Sequence, residues 1–143
     1  MADVNVLLVD DNKDFVETLA ERMQARGMNA AAVFDGGQAL AAAEARRYDA
    51  VVLDLQMPGM DGIETLKRLK EMNDELQIIL LSGHATVQLT VEAMKLGALD
   101  FMEKPVDLAT LVEKIRVAQA KRMVLEEAHN NEKINDILSR SAW

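Results

Sequence analysis

Five short strand-like runs, most of them apolar, alternate with stretches of helical spacing along this chain, and that alternation restricts the fold more than any other feature. The runs are Val4–Val9, Asn29–Phe34, Ala50–Leu53, Gln77–Leu81 and Asp100–Glu103. Short apolar runs bounded by turn signals read as buried strands. Between them, apolar residues recur three and four apart, as in Phe15, Leu19 and Met23, or Leu108, Leu111, Val112 and Ile115. Thr86 to Leu96 reads as a helix with Val87, Val91 and Met94 inward, closed by Gly97. Strands alternating with helices imply a parallel sheet covered on both faces, a doubly wound α/β fold.

The ends of the runs carry the chemistry. Asp10 and Asp11 follow the first, Asp54 the third, Ser82 the fourth and Lys104 the fifth. In a parallel sheet all these ends lie on one edge, where open α/β folds bind ligands. Three carboxylates brought together repel one another unless a hard cation neutralises them. Magnesium suits such a site, because it takes one or two carboxylates together with water and phosphate oxygen. An attacking Asp54 carboxylate also needs the charge of its phosphoryl target offset, which the Lys104 ammonium can do. The Ser82 hydroxyl can donate to a phosphoryl oxygen.

Composition removes other classes. Half of the 143 residues are apolar, enough for a globular core. There is no cysteine, hence neither a disulfide nor a cysteine zinc site. No secretory signal or membrane-length apolar run stands out, so a cytoplasmic location is expected. The net charge of −8 argues against direct contact with nucleic acid. Residues 1–106 carry all of that charge, while residues 107–143 hold six acidic and six basic residues. The division suggests two functional parts, an acidic body and a neutral tail.

With Asp10-Asp11, Asp54 followed by Met57-Pro58-Gly59-Met60-Asp61-Gly62, Ser82-Gly83, Gly97-Ala98-Leu99-Asp100-Phe101 and Lys104-Pro105, the chain resembles a bacterial two-component response regulator receiver domain. The stretch from Ser82 to Asp107 resembles receivers of enhancer-binding transcription activators. The resemblance implies a flavodoxin-like five-stranded sheet of order 2-1-3-4-5 in a body of residues 1–120, with residues 121–143 as a helical extension or linker. It implies that Asp54 accepts a phosphoryl group from a sensor histidine kinase or a phosphotransfer protein. Asp10, Asp11, Asp54 and the Gln56 backbone carbonyl would hold magnesium, and Lys104 would pair with the phosphoryl group. Ser82 and Phe101 would form the switch that reports phosphorylation on the face near the last helix. A cis peptide bond before Pro105 is a further expectation from the family. Such a domain is a phosphoacceptor rather than an enzyme, although it assists its own phosphotransfer and dephosphorylation.

Ser82 stands where threonine is commoner and Val106 where phenylalanine is frequent. A magnesium-dependent aspartyl-phosphate hydrolase is the alternative function, but such enzymes usually place a second aspartate where Gln56 stands. His84 reads as a partly exposed loop residue, and the methionines as packing. The last helix is expected from Asp107 to Ala128, about 33 Å, interrupted at His129-Asn130-Asn131. Leu108, Leu111, Ile115, Ala118 and Leu125 fit a heptad seam that Arg122, His129 and Glu132 break. A weak homodimer through that helix is expected.

Overall fold

The structure, a computed structural model, describes residues 3–57, 61–83 and 86–141. The expectations for the Pro58-Gly59-Met60 turn, for His84 and for Trp143 fall outside them. Five strands, β1 (Asn5–Val9), β2 (Asn29–Val33), β3 (Ala50–Asp54), β4 (Ile78–Ser82) and β5 (Asp100–Glu103), pair in parallel in the order β2-β1-β3-β4-β5. They alternate with α1 (Lys13–Ala25), α2 (Gly36–Ala45), α3 (Gly62–Met72), α4 (Val87–Lys95) and α5 (Leu108–Ser141).

Side chains alternate across a strand, so each run feeds two cores. Val6, Leu8, Val52, Ile79 and Leu81 pack on one face with Val16, Leu19 and Met23 of α1 and Leu111, Ile115 and Ala118 of α5. Leu7, Val9, Val51, Leu53, Ile78 and Leu80 pack on the other with Ala39 of α2, Leu66 and Leu69 of α3 and Ala93 of α4. The central strands β3 and β4 are buried at every position. Truncating one of their fully enclosed residues, such as Leu80→Ala, is expected to cost about 2–5 kcal/mol.

Short polar side chains start the helices. Asn12, Asp35, Asp61 and Thr86 each accept a backbone N–H three residues on, satisfying donors that the first turn leaves open. The Asp107 carbonyl accepts the Leu111 N–H, and its carboxylate accepts the Thr110 hydroxyl. The Lys104–Pro105 peptide bond is cis.

Two helices differ from expectation. In α4 the inward residue is Ala93, whereas Val87, Val91 and Met94 face solvent at 84%, 45% and 42% exposure. Two stripes compete on this nine-residue helix, and the smaller one lies against the sheet. Helix α5 runs 34 residues to Ser141, straight through His129-Asn130-Asn131. Asparagine costs well under 1 kcal/mol per helical position, and neither Gly nor Pro follows Pro105 to stop the helix. The heptad seam read from the sequence is also occupied, because Leu111, Ile115 and Ala118 are buried against the domain's own sheet.

Candidate functional site

Strand register builds the site. Val9 of β1 is the partner of Leu53 of β3, so Asp10, just past β1, and Asp54, the last residue of β3, lie side by side at the carboxyl edge of the sheet. Leu81 lies opposite Asp54, and Ser82 opposite Glu103, which puts Lys104 just past the tip of β5. The Lys104 backbone N–H donates to the Ser82 carbonyl at 2.9 Å, extending the pairing by one residue.

Carboxylate oxygens of Asp10, Asp11 and Asp54 lie within 4.8 Å of one another. Asp10 and Asp54 are buried at 2% and 4% exposure, and Asp11 is exposed. The Asp10 carboxylate accepts the Asn12 N–H at 2.9 Å and Lys104 Nζ at 2.7 Å. Asp54 Oδ1 accepts the Gln56 N–H at 3.3 Å and lies 3.9 Å from Lys104 Nζ. One ammonium thus serves two carboxylates, with the shorter contact going to Asp10.

This arrangement leaves Asp54 under-compensated. Burial and then the Asp10 charge push its pKa up to about 6, aided by Asp11, against the opposing pull of the Gln56 N–H and Lys104. A cation among the three carboxylates would reverse that. The donors are hard oxygens, one of them on an exposed residue that leaves room for water, and this set fits magnesium.

The loop after Asp54 folds back on the strand. The Gly62 N–H donates to the Leu55 carbonyl at 3.1 Å. A Cβ at Gly62 would meet Leu55 Cα at 2.3 Å and the Asp54 carbonyl oxygen at 2.6 Å, so only glycine fits. Ser82 is fully buried at the tip of β4, and Phe101 is half-buried in β5 against the core shared with Leu80. The structure therefore brings Asp10, Asp11, Asp54 and Lys104 together and sets Ser82 on the neighbouring tip. Phe101 lies three residues before Lys104 on the adjoining strand.

Sequence reasoning missed the residues at the opposite edge of the sheet. Asp49, just before β3, is 3% exposed. It accepts the Asn5 N–H and Arg122 Nε, both at 2.7 Å. Arg122 also binds Glu126 at 2.7 Å, and Glu126 binds Arg47 at 3.1 Å. Arg122 therefore breaks the heptad pattern because it fastens α5 to the start of β3. The one sequence signal was the placement of an aspartate on each side of the Ala50–Leu53 run.

A parallel 2-1-3-4-5 sheet with its acidic residues at the carboxyl edge defines a receiver-type fold. The chain belongs to the response regulator receiver domain family, which it matches over residues 6–116. It is 39% identical over 127 residues to the C4-dicarboxylate transport transcriptional regulatory protein DctD of Pseudomonas aeruginosa, covering 87% of this chain and 27% of that protein. It is 36% identical over 117 residues to the transcriptional regulatory protein ZraR of Salmonella typhimurium, covering 82% of this chain and 26% of that one. The chain thus spans about a quarter of the length of these relatives. Among solved structures, the receiver domain of NtrX from Brucella abortus superposes with a TM-score of 0.76 at 32% identity, covering 81% of this chain and 98% of that one. The Francisella response regulator 1452 receiver domain gives 0.78 at 28%, covering 83% and 98%. Among the described residues no helix is long and apolar enough to cross a membrane.

Proposed function

We propose that this domain is a phosphorylation-controlled switch whose acceptor is Asp54. The reading is carried by one observation: a buried, under-compensated carboxylate at the tip of β3 shares a single ammonium with Asp10 and lies beside a third carboxylate, Asp11. The donor is the phosphohistidine of a sensor kinase or phosphotransfer protein. An Asp54 oxygen attacks phosphorus, the P–N bond breaks, and the imidazole departs with its electron pair. Asp10, Asp11, Asp54 and the Gln56 carbonyl would hold magnesium, which would supply charge neutralisation for the phosphoryl oxygens. Lys104 has three N–H donors, and one can turn from Asp10 to the new phosphoryl group. The product is an acyl phosphate, which water attacks slowly in the same pocket.

Phosphorylation adds about −1.5 to −2 charge and three strong acceptor oxygens. The Ser82 hydroxyl then bonds one of them, and Phe101 packs inward behind it, altering the surface of α4, β5 and α5. The relatives named as transcriptional regulators support an output on transcription in the cytoplasm. The acidic body itself is not the nucleic-acid contact. A second copy of the chain is the proposed partner of distal α5, where Val117, Val124 and Leu138 repeat every seven residues around Asn131, with Ile134 beside them.

Incubation with acetyl phosphate and magnesium tests the acceptor. Intact mass should show one base-labile phosphoryl group on the wild type and none on Asp54→Asn. Equal labelling of the variant would overturn the assignment. Sedimentation of residues 1–143 against 1–120, with and without beryllofluoride, tests the dimer, and monomers throughout would remove it.

A further inference from the structure

Lys104 has a neighbour besides its two carboxylates. Its Nζ lies 4.5 Å from the centroid of the Phe15 ring, while contacting Asp10 at 2.7 Å and Asp54 at 3.9 Å. An ammonium within about 6 Å of a ring centroid is drawn to the negative face of the ring. Phe15 sits in the first turn of α1, where its N–H donates to the Asn12 side chain at 3.1 Å. The ring is half-buried and packs against the core shared by α1 and α5. Leucine could supply that packing. Only an aromatic ring also offers a face to the lysine.

We infer that Phe15 is a positioning residue for Lys104, an inference that rests on Asp54 as the phosphoacceptor. Lys104 is 25% exposed in its side chain, and without a support its long stem would sample solvent. The ring attracts the ammonium without accepting any of its three N–H donors in a directional bond. All three therefore stay available to Asp10, Asp54 and an arriving phosphoryl oxygen. A polar residue in the same place would anchor the ammonium and oppose its movement from Asp10 toward Asp54. Phe15 thus holds Lys104 near the pocket while leaving it free to shift between partners.

Fluorination of the ring tests this, because it weakens the negative face while largely keeping the shape. The full chain is made with phenylalanine, monofluoro-, difluoro- or pentafluorophenylalanine at position 15, alongside Phe15→Leu and Phe15→Trp. Labelling by acetyl phosphate with magnesium should slow stepwise with fluorination, reaching about fivefold with pentafluorophenylalanine. Phe15→Leu should match the pentafluoro protein and Phe15→Trp the wild type, with melting temperatures close together across the fluorinated series. A flat series, or Phe15→Leu labelling at the wild-type rate, overturns the inference. NMR gives a second readout that does not depend on phosphorylation. The Lys104 ε-methylene protons should be shifted upfield in the wild type and in Phe15→Trp, and should return toward ordinary values in Phe15→Leu. Ordinary shifts in the wild type also overturn the inference. A wild type that shows the upfield shift but takes no phosphoryl group would instead overturn the role of Asp54.

Discussion

Asp49 and Asp54 flank the same strand, and both are almost completely buried, at 3% and 4% exposure. Their surroundings are opposite. Asp49 receives a backbone N–H and an arginine Nε, each at 2.7 Å. Asp54 receives one N–H at 3.3 Å, shares Lys104 at 3.9 Å, and faces two more carboxylates. Burial alone therefore does not distinguish a fully compensated carboxylate from an under-compensated one. The difference lies in compensation: a carboxylate with close partners fastens elements together, and one short of partners is left with its pKa raised.

The contrast can be broken at several points. Asp49→Ala removes the partner of Arg122 and leaves the Asn5 N–H unsatisfied, so urea unfolding should show a loss of about 3 kcal/mol. A loss under about 1 kcal/mol would mean that Asp49 is no better compensated than Asp54. Asp54→Asn should do the reverse. The folded chain holds the Asp54 proton up to about pH 6, against 3.8 ordinarily. That contribution is therefore fully present below 3.8 and is lost as pH rises through about 6. In metal-free buffer at pH 7 the asparagine variant should be more stable than wild type by roughly 2–3 kcal/mol, and the gap should close by pH 4. A constant gap would point to a cause other than ionisation.

Magnesium sharpens the same comparison more gently. At ten times its dissociation constant, binding should stabilise the wild type by about 1.4 kcal/mol, seen as a higher melting temperature. Asp11→Ala should reduce the rise, and an unchanged wild-type melting curve at millimolar magnesium would count against a metal pocket. The smallest effect belongs to Arg47→Ala. Its side chain is 88% exposed, so losing the bond to Glu126 should change stability by less than about 0.5 kcal/mol. A larger loss would show that the outer pair bears on the Asp49 contact.

The apolar runs announced the strands because β1, β3 and β4 are buried at nearly every position. The convergence of the tips was equally legible, since Asp10, Asp54, Ser82 and Lys104 each follow a run directly, and a parallel sheet brings those ends together. The strand order came with the family resemblance. Helix facing was harder to read. In α4, residue size favoured Val87, Val91 and Met94, yet the stripe containing Ala93 lies against the sheet. In α5 one periodic stripe serves either the domain's own core or a partner, and periodicity does not say which. The Asp49–Arg122 contact joins residues 73 apart in sequence, and nothing local announces such a partner. Phe15 was visible as a core residue of α1, but its second face was not, because the lysine above it comes from β5's far end.

The length of α5 has a mechanical consequence. About 20 Å of helix lies between Leu108, near the carboxyl edge of the sheet, and Arg122, and roughly 28 Å more continues to Ser141. Asp49 grips Arg122 at the sheet edge opposite Asp54, so a tilt about that contact would make the helix a lever with its fulcrum there. If it pivots there as a rigid rod, any displacement at its first turn reappears at its far end reversed in direction and about 1.4 times as large. A tilt of only about 5° would carry Ser141 through roughly 2.5 Å, half of one helical turn.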